Sequence, residues 1–185
     1  MNNKFFLTKE DAVLVVVDIQ ERLAVVMTEK EKVLRNVIHL IEAAKLLHIP
    51  IILTEQYSKG LGPTVKEIRE ALPSCEPIEK LAFGCCGEPA FLKTLASTGK
   101  KKKIILCGME THVCVLQTCL GLLKEGYDVH VAGDAVCSRS KENFRAGIEL
   151  MRDAGAVISG TETVLFQLLE KAGTDEFKTI SKRIK

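Results

Sequence analysis

The stretch VLVVVD, residues 13–18, decides the fold class. Its five consecutive apolar residues, four of them valine, are typical of a strand that is buried on both faces of a parallel sheet. A helical pattern follows, and its apolar residues recur every three or four positions at Val33, Val37, Leu40, Ile41, Ala44 and Leu47. A second β-rich run then begins at Ile51. This order predicts a strand, a crossover helix and a parallel neighbouring strand.

The alternation continues to the end of the chain. Strands are predicted over residues 13–17, 51–53, 77–80, 104–107, 127–132 and 156–158. Helices are predicted over residues 29–47, 63–72, 88–97, 113–125, 141–154, 161–171 and 175–183. We therefore expect the α/β class, with a single three-layer α/β/α domain over residues 1–185 and a mostly parallel, Rossmann-like six-stranded sheet. In such sheets the functional groups lie beyond the carboxyl ends of the strands.

Composition and charge exclude several kinds of partner. The chain has 185 residues and a net charge of +2, from 26 basic and 24 acidic residues. This near-balance predicts neither a nucleic-acid partner nor an anionic membrane surface as partner. No apolar run reaches the ~20 residues of a membrane span, and the first ten residues lack the apolar stretch of a signal peptide.

Cysteine usage predicts a reduced environment. The seven cysteines are odd in number and contain no Cys-x-x-Cys spacing, which argues against a disulfide framework and against a structural zinc site. We therefore expect a cytoplasmic protein. Cys85 and Cys86 form a vicinal pair beside two glycines, and we expect the pair to be partly exposed, although no role follows from the sequence.

Three polar or nucleophilic side chains lie where chemistry is expected. Asp18 follows the first strand directly, as either a loop or helix-cap acceptor or a functional acid or base. Cys114 lies near the start of a predicted helix, where the helix dipole favours a thiolate, but position alone favours a buried core cysteine. Lys80, a surface residue by default, becomes important only if it lies near the other two, because an ammonium stabilises both negative charges.

The sequences around these side chains resemble the isochorismatase-like, or cysteine hydrolase, family. The motifs are Asp18-x-Gln20, the lysine at 80 followed by Phe83 and a glycine, and GMETHVCV over residues 108–115. The stretch GYDVHVAGDAVCSR, beginning at Gly126, resembles the strand and loop that follow the nucleophile helix in that family.

The resemblance covers about residues 10–170, with the motifs in the family order. TEQYSKGLGP, residues 54–63, is most similar to the branch that includes the mammalian isochorismatase domain-containing proteins.

The resemblance implies a catalytic mechanism. Cys114 corresponds to the family's nucleophile, Asp18 to the general base that takes its proton, and Lys80 to the cation that holds the pair charged. It also implies a cis peptide between Met109 and Glu110, and an oxyanion hole formed by the backbone amides of Glu110 and Cys114. The expected activity is metal-independent hydrolysis of a small amide, related C–N compound or ester through a thioester on Cys114.

Other expectations concern the pocket, the cofactor and the partners. Nicotinamidases of the family bind a metal through an aspartate and two histidines after the second strand, whereas residues 54–62 contain no histidine. We therefore expect no metal and no cofactor. The expected partners are a small-molecule substrate and further copies in a homo-oligomer. The candidate pocket residues are Gln20, Gln56, Tyr57, Phe83 and His112.

A second function stays open at this point. A low-pKa Cys114 in an electropositive pocket also fits a thiol-based redox or regulatory protein with vestigial hydrolase activity.

Overall fold

A six-stranded sheet forms the centre of the molecule in the computed structural model, which describes residues 3–99 and 102–184. Every pairing between its strands is parallel, and the strand order is β3-β2-β1-β4-β5-β6. The strands are β1 (Ala12–Val17), β2 (Ile51–Gln56), β3 (Ile78–Lys80), β4 (Lys103–Met109), β5 (Asp128–Cys137) and β6 (Val157–Ser159). The predicted fold class and number of strands are confirmed.

Helices cover both faces of this sheet. The α-helices of the described residues are α1 (Glu21–Ala24), α2 (Lys30–Leu46), α3 (Ser58–Leu61), α4 (Lys66–Ala71), α5 (Pro89–Ser97), α6 (Leu116–Lys124), α7 (Lys141–Asp153), α8 (Thr161–Leu169) and α9 (Asp175–Arg183). A 3-10 turn lies at Cys85–Gly87, and a π-helical turn at Thr111–Val115 leads into α6. Helices α2, α4, α8 and α9 pack on one face, and α5, α6 and α7 pack on the other.

Strand β1 explains why the first apolar run is unbroken. Leu14 and Val16 belong to the core beneath α2, whereas Val13 and Val17 belong to the core beneath α5 and α6. All of β1 is fully buried. Because successive side chains of a strand point to opposite faces, a strand that is covered on both sides needs apolar residues at every position.

The order of the sheet reverses beside β1, whose neighbours are β2 on one side and β4 on the other. At the end of the pairing between β1 and β4, Val17 lies opposite Gly108, whose φ is 125°. A Cβ at position 108 would lie 2.0 Å from the carbonyl oxygen of Val17. Glycine is therefore required there, and its absence of a side chain lets the loop after β4 approach the end of β1 closely.

Strand β5 is longer than predicted. The prediction ended at Ala132, but the strand continues to Cys137 past a register shift, with Leu106 opposite Val131 and Gly108 opposite Val136. The sequence Gly133-Asp134 is typical of a turn, and the strand does bulge at this point. The Asp134 carboxylate accepts hydrogen bonds from the backbone and hydroxyl of Thr161, at 2.7 and 2.8 Å, and so caps α8.

The helix predicted from Pro63 begins three residues later, at Lys66. Residues 63–65 instead run antiparallel to residues 19–21: Thr64 bridges Gln20, and the Val65 amide donates to Ile19 O at 2.9 Å. The short helices α1 and α3 were not predicted, since four residues are too few to show a periodic pattern. Among the helices of the described residues, none has the length and apolar character required to cross a membrane.

Candidate active site

Three side chains converge beside the reversal of the sheet. Asp18 follows β1 with a left-handed backbone (φ 51°), Lys80 ends β3, and Cys114 lies in the π-helical turn after β4. Lys80 Nζ lies 2.7 Å from Asp18 Oδ2, and both side chains are fully buried. Cys114 is 5% exposed, and its thiol lies close enough to the Asp18 carboxylate for the negative charge of Asp18 to act on it. The structure thus brings together the sulfur, carboxylate and ammonium that the sequence singled out.

Burial determines the charge of the thiol. It raises the pKa of Cys114 well above the usual range, the negative charge of Asp18 raises that pKa further, and Lys80 opposes the rise. Cys114 is therefore a neutral thiol near neutral pH. A thiolate was expected at this helix start, whereas the burial of Cys114 favours the neutral thiol. A thiol that contacts an ionised carboxylate can nevertheless pass its proton to that carboxylate as it attacks.

Lys80 is held by four oxygen atoms. Besides Asp18, its Nζ contacts Gln56 Oε1 at 2.7 Å, Phe83 O at 2.8 Å and Ala82 O at 3.2 Å. An ammonium has only three N–H donors, so these acceptors occupy all of them. Lys80 therefore balances the negative charge of Asp18 and orients its carboxylate. It has no N–H donor left for a substrate.

Two of the candidate pocket residues brace the framework. The Gln20 amide donates to Gln56 O (3.1 Å) and Gly62 O (2.7 Å), and its carbonyl accepts from Gln56 N (2.8 Å). The Gln56 side chain joins Lys80 Nζ to Leu81 O. Both amides are thus occupied by the protein's own groups, and neither is placed to wall an open pocket.

The other candidate pocket residues lie nearer the surface. Tyr57 and Phe83 are 51% and 54% exposed, beside the still more exposed Leu81, and their backbone groups bond to Lys80. Tyr57 and Leu81 line a surface cavity beside Lys80, whereas Phe83 lines another cavity next to Cys86. His112 is half-buried, and its Nδ1 lies 2.9 Å from Ser138 Oγ, so its ring is tied to the loop after β5.

One backbone feature near Cys114 agrees with what the resemblance implied. The Met109–Glu110 peptide is cis. Glu110 O accepts hydrogen bonds from Val113 N and Val115 N, the amides on either side of Cys114. Backbone amides beside a nucleophile are the kind of donor that stabilises an oxyanion.

Glu110 also ties this loop to its neighbour. Its carboxylate accepts hydrogen bonds from the backbone and the Nε of Arg139, at 3.0 and 3.1 Å.

Two residues of the site were not predicted. Thr54 donates from Oγ1 to Asp18 Oδ1 at 2.7 Å, and Cys85 Sγ lies 3.8 Å from Thr54 Oγ1. Cys85 is fully buried, so only Cys86 of the vicinal pair is partly exposed, contrary to expectation. Thr54 carries no sequence signal of this role, which becomes visible only in the pairing of β2 with β1, where Thr54 lies opposite Val17, directly before Asp18.

The residues after β2 do not fit the metal site of the nicotinamidases. Glu55 Oε1 accepts both the backbone and the hydroxyl hydrogen bonds of Thr64, each at 2.6 Å, which turns this carboxylate toward the loop before α4. Among the described residues, no group of three or more His, Cys, Asp or Glu side chains is placed to hold a metal ion. We derive no step through a metal.

The fold and site together define an α/β protein of Rossmann-like topology, with a thiol, a carboxylate and an ammonium at the point where strand order reverses. The family model of the isochorismatase domain matches residues 12–163. The chain belongs to the isochorismatase family and has the hydrolase fold of that family.

Individual relatives agree with this assignment. The secreted isochorismatase effector Isc1 of Phytophthora sojae is 41% identical over 97% of this chain and 87% of its own length. Isochorismatase domain-containing protein 2A of Mus musculus is 36% identical over 95% of this chain and 84% of its own. The resemblance to the isochorismatase domain-containing proteins is confirmed.

Solved structures are similar over nearly the whole chain. A structure titled MAR1 ribonuclease from Caenorhabditis elegans is 38% identical with a TM-score of 0.89, and covers 97% of this chain and 92% of that one. The YcaC gene product of Escherichia coli, titled an octameric hydrolase of unknown specificity, is 28% identical with a TM-score of 0.90, and covers 99% and 92%.

Proposed function

We propose that the chain is a metal-independent cysteine hydrolase that cleaves the C–N bond of a small amide or related compound, or a small ester. The observation that carries this proposal is the buried Asp18 carboxylate, which is ion-paired to Lys80 at 2.7 Å and acts electrostatically on the neighbouring Cys114 thiol. A base that lies next to a thiol and is itself held by a cation has the arrangement that nucleophilic catalysis requires.

The proposed reaction has two halves. In the first, the Cys114 thiol passes its proton to Asp18 while its sulfur attacks the carbonyl carbon, and the amides of Glu110 and Cys114 bind the oxyanion. The C–N bond then breaks, and the amine leaves with the proton from Asp18. In the second half, Asp18 takes a proton from water, the resulting hydroxide cleaves the thioester, and the proton returns to the Cys114 sulfur.

The test is a screen of small amides, carbamates, ureido compounds and esters with wild-type protein, Cys114→Ala and Asp18→Asn. We expect Cys114→Ala to abolish turnover and Asp18→Asn to lower it by about 10²–10⁴-fold, the usual contribution of a general base. Mass spectrometry of the wild type should show an acyl adduct on the peptide that contains Cys114. Turnover that persists in Cys114→Ala would exclude the covalent mechanism.

The relative titled a ribonuclease suggests another substrate, but the site favours a small molecule. The thiol is 5% exposed, and Lys80, the ammonium beside it, is fully engaged by oxygen atoms of the protein. Binding to an RNA backbone depends on exposed cations that face the phosphates. We therefore expect no RNA cleavage that depends on Cys114. Cleavage of single-stranded RNA by the wild type and not by Cys114→Ala would contradict this.

We also propose a homo-oligomer, on the precedent of the octameric relative. Light scattering would measure the mass of the assembly.

We propose a cytoplasmic location because all seven cysteines are unpaired, although one relative is named as secreted. The location of a tagged copy in cells would test this. Limited proteolysis would test whether residues 1–185 form one domain.

The alternative function, a thiol-based redox protein, requires a reversible disulfide at Cys114 after peroxide treatment. The absence of that disulfide would dismiss the alternative.

A further inference from the structure

Thr54 lies between the candidate base and a second buried thiol. It is fully buried near the end of β2, and its Oγ1 is 2.7 Å from Asp18 Oδ1. The backbone repeats the connection, since the Asp18 amide donates to Thr54 O at 3.2 Å. Cys85 Sγ approaches the same hydroxyl at 3.8 Å, within hydrogen-bond range for sulfur.

The chemistry of the three groups sets the direction of these bonds. An ionised carboxylate only accepts hydrogen bonds, so the single proton of the Thr54 hydroxyl goes to Asp18. Burial raises the pKa of Cys85 to about 11, and the thiol therefore keeps its proton near neutral pH. Cys85 can then donate to the oxygen of Thr54, which leaves the Thr54 proton free for Asp18.

Cys85 is itself held in place. Its backbone amide donates to Thr118 Oγ1 at 3.0 Å, and Thr118 lies on α6, the helix that follows the nucleophile turn. The chain of contacts therefore runs from α6 through Cys85 and Thr54 to Asp18.

We propose that Thr54 is a positioning residue for Asp18: its hydroxyl holds Oδ1 so that Oδ2 stays against Lys80 and the carboxylate keeps one orientation toward the Cys114 thiol. This inference deepens the proposed function and rests on it. Without the hydroxyl, Oδ1 would lose its 2.7 Å contact with Thr54 while Oδ2 keeps its 2.7 Å contact with Lys80, and the carboxylate would be free to turn about Lys80 and away from the sulfur.

Two substitutions at Thr54 separate positioning from packing. Thr54→Val keeps the shape of the side chain and removes the hydroxyl, whereas Thr54→Ser keeps the hydroxyl and removes a methyl group. If Thr54 acted only by filling space, serine would be the more damaging change, because it leaves a cavity. If the hydroxyl positions Asp18, valine would be the more damaging change.

The readout needs no substrate: it is the rate at which iodoacetamide alkylates Cys114 at neutral pH, followed by mass spectrometry of its peptide. We expect Thr54→Val to slow alkylation about tenfold, the effect of losing a hydrogen bond to a charged group, and Thr54→Ser to stay within about twofold of wild type. Thr161→Val is the matched control, because it removes the 2.8 Å hydrogen bond from the hydroxyl of Thr161, on α8, to the carboxylate of Asp134. It should label at the wild-type rate.

Further controls separate the possible failures. Labelling of Asp18→Asn that is as fast as that of wild type, or faster, would reject the proposed function, and the role of Thr54 with it. Slow labelling of Asp18→Asn together with wild-type labelling of Thr54→Val, or slower labelling of Thr54→Ser than of Thr54→Val, would reject the role of Thr54 alone. Thermal unfolding of each variant checks the fold. If Thr54→Val does not fold, Thr54→Ala removes the same hydroxyl and must show the same slowing.

Discussion

Asp18 combines a left-handed backbone, full burial and a negative charge. Such a residue persists in a protein interior only where its carboxylate is paired and hydrogen-bonded. Lys80 provides the pairing at 2.7 Å and Thr54 the hydrogen bond at the same distance. The three residues come from neighbouring strands of the sheet, so each strand end contributes one part of a single charged unit.

Removal of the cation should be costly. We expect Lys80→Met to lower the free energy of unfolding by about 3–5 kcal/mol, because it leaves Asp18 buried without a counter-charge. The double variant Lys80→Met, Asp18→Asn should recover part of this loss. Urea unfolding measures both.

The matched control is Lys178→Met, which breaks a 2.9 Å lysine–aspartate pair whose side chains are both mostly exposed. That change should cost less than about 1 kcal/mol, as is usual for surface pairs. An equally small loss in Lys80→Met would show that the buried pair is not needed for stability.

The residues of the site differed in how far their positions could be predicted. Asp18 was predictable as a polar residue at the end of a buried strand, and Cys114 as a thiol near a helix start, but each left a structural alternative open. Thr54 and Cys85 were missed because a threonine in a strand and a cysteine in a loop carry no signal of their own. Their roles depend on the direction of a side chain across two strands, which periodicity does not report.

Among the elements, the pairing of β1 with β4 governs the approach of the nucleophile loop. Gly108 lies in a left-handed region, and a Cβ there would meet Val17 O at 2.0 Å and Val17 N at 2.7 Å. Both atoms belong to the backbone of the central strand, which cannot move aside as a flexible side chain could. The glycine therefore keeps the two strands, and the loop that follows β4, in contact.

A pair of glycine substitutions tests this role. Gly126 also has a positive φ, 83°, but nothing lies within 4 Å of a Cβ there. Gly126→Ala should therefore cost only the left-handed penalty of about 1–2 kcal/mol. Gly108→Ala adds a clash with β1 and should lose about 3 kcal/mol or more of unfolding free energy, or fail to fold. Thermal and urea unfolding of the two variants make the comparison. Equal losses of unfolding free energy would show that the pairing of β1 with β4 can adjust to a Cβ at position 108.

Prediction of the elements succeeded where periodicity was long and failed where contacts between distant segments decided the structure. Helix α2 differed from its prediction by one residue at each end, whereas the predicted helix start at Pro63 was wrong because residues 63–65 pair with the segment after β1. The bulge of β5 escaped prediction for a similar reason. At this bulge the Asp134 carboxylate caps α8 at Thr161, a partner 27 residues away.

At the scale of the whole molecule, burial of titratable groups links stability to pH. His130 on β5 is fully buried, and burial lowers its pKa below the usual value of 6.5; the positive charge of Lys103 adds to this, whereas the backbone of Lys4 and the charge of Asp128 act in the opposite direction. The folded protein therefore binds a proton at His130 less readily than the unfolded chain does. Stability is unaffected by this group well above pH 6.5 and falls as pH drops below that value.

We expect the free energy of unfolding to fall between pH 6.5 and 5, with a contribution from His130 of at most about 1.4 kcal/mol per pH unit. His130→Leu, which fills a similar buried space without a titrating group, should show a shallower slope. His48→Leu, at an exposed position after α2, is the control and should keep the wild-type slope. Denaturant unfolding at several pH values measures the slopes. A slope unchanged in His130→Leu would show that other groups cause the loss.

The amino-acid sequence by itself determined the class of the fold, because the order and period of apolar residues are local properties that every strand and helix carries within its own length. It also marked Asp18, Lys80 and Cys114 through motifs that resemble one family. Only the tertiary structure decided that these groups lie together and that burial favours the neutral thiol. It also decided that Thr54 hydrogen-bonds the Asp18 carboxylate and that Cys85 contacts Thr54. Desolvation and side-chain contact depend on what packs around a group, and those neighbours come from strands that are distant in the chain.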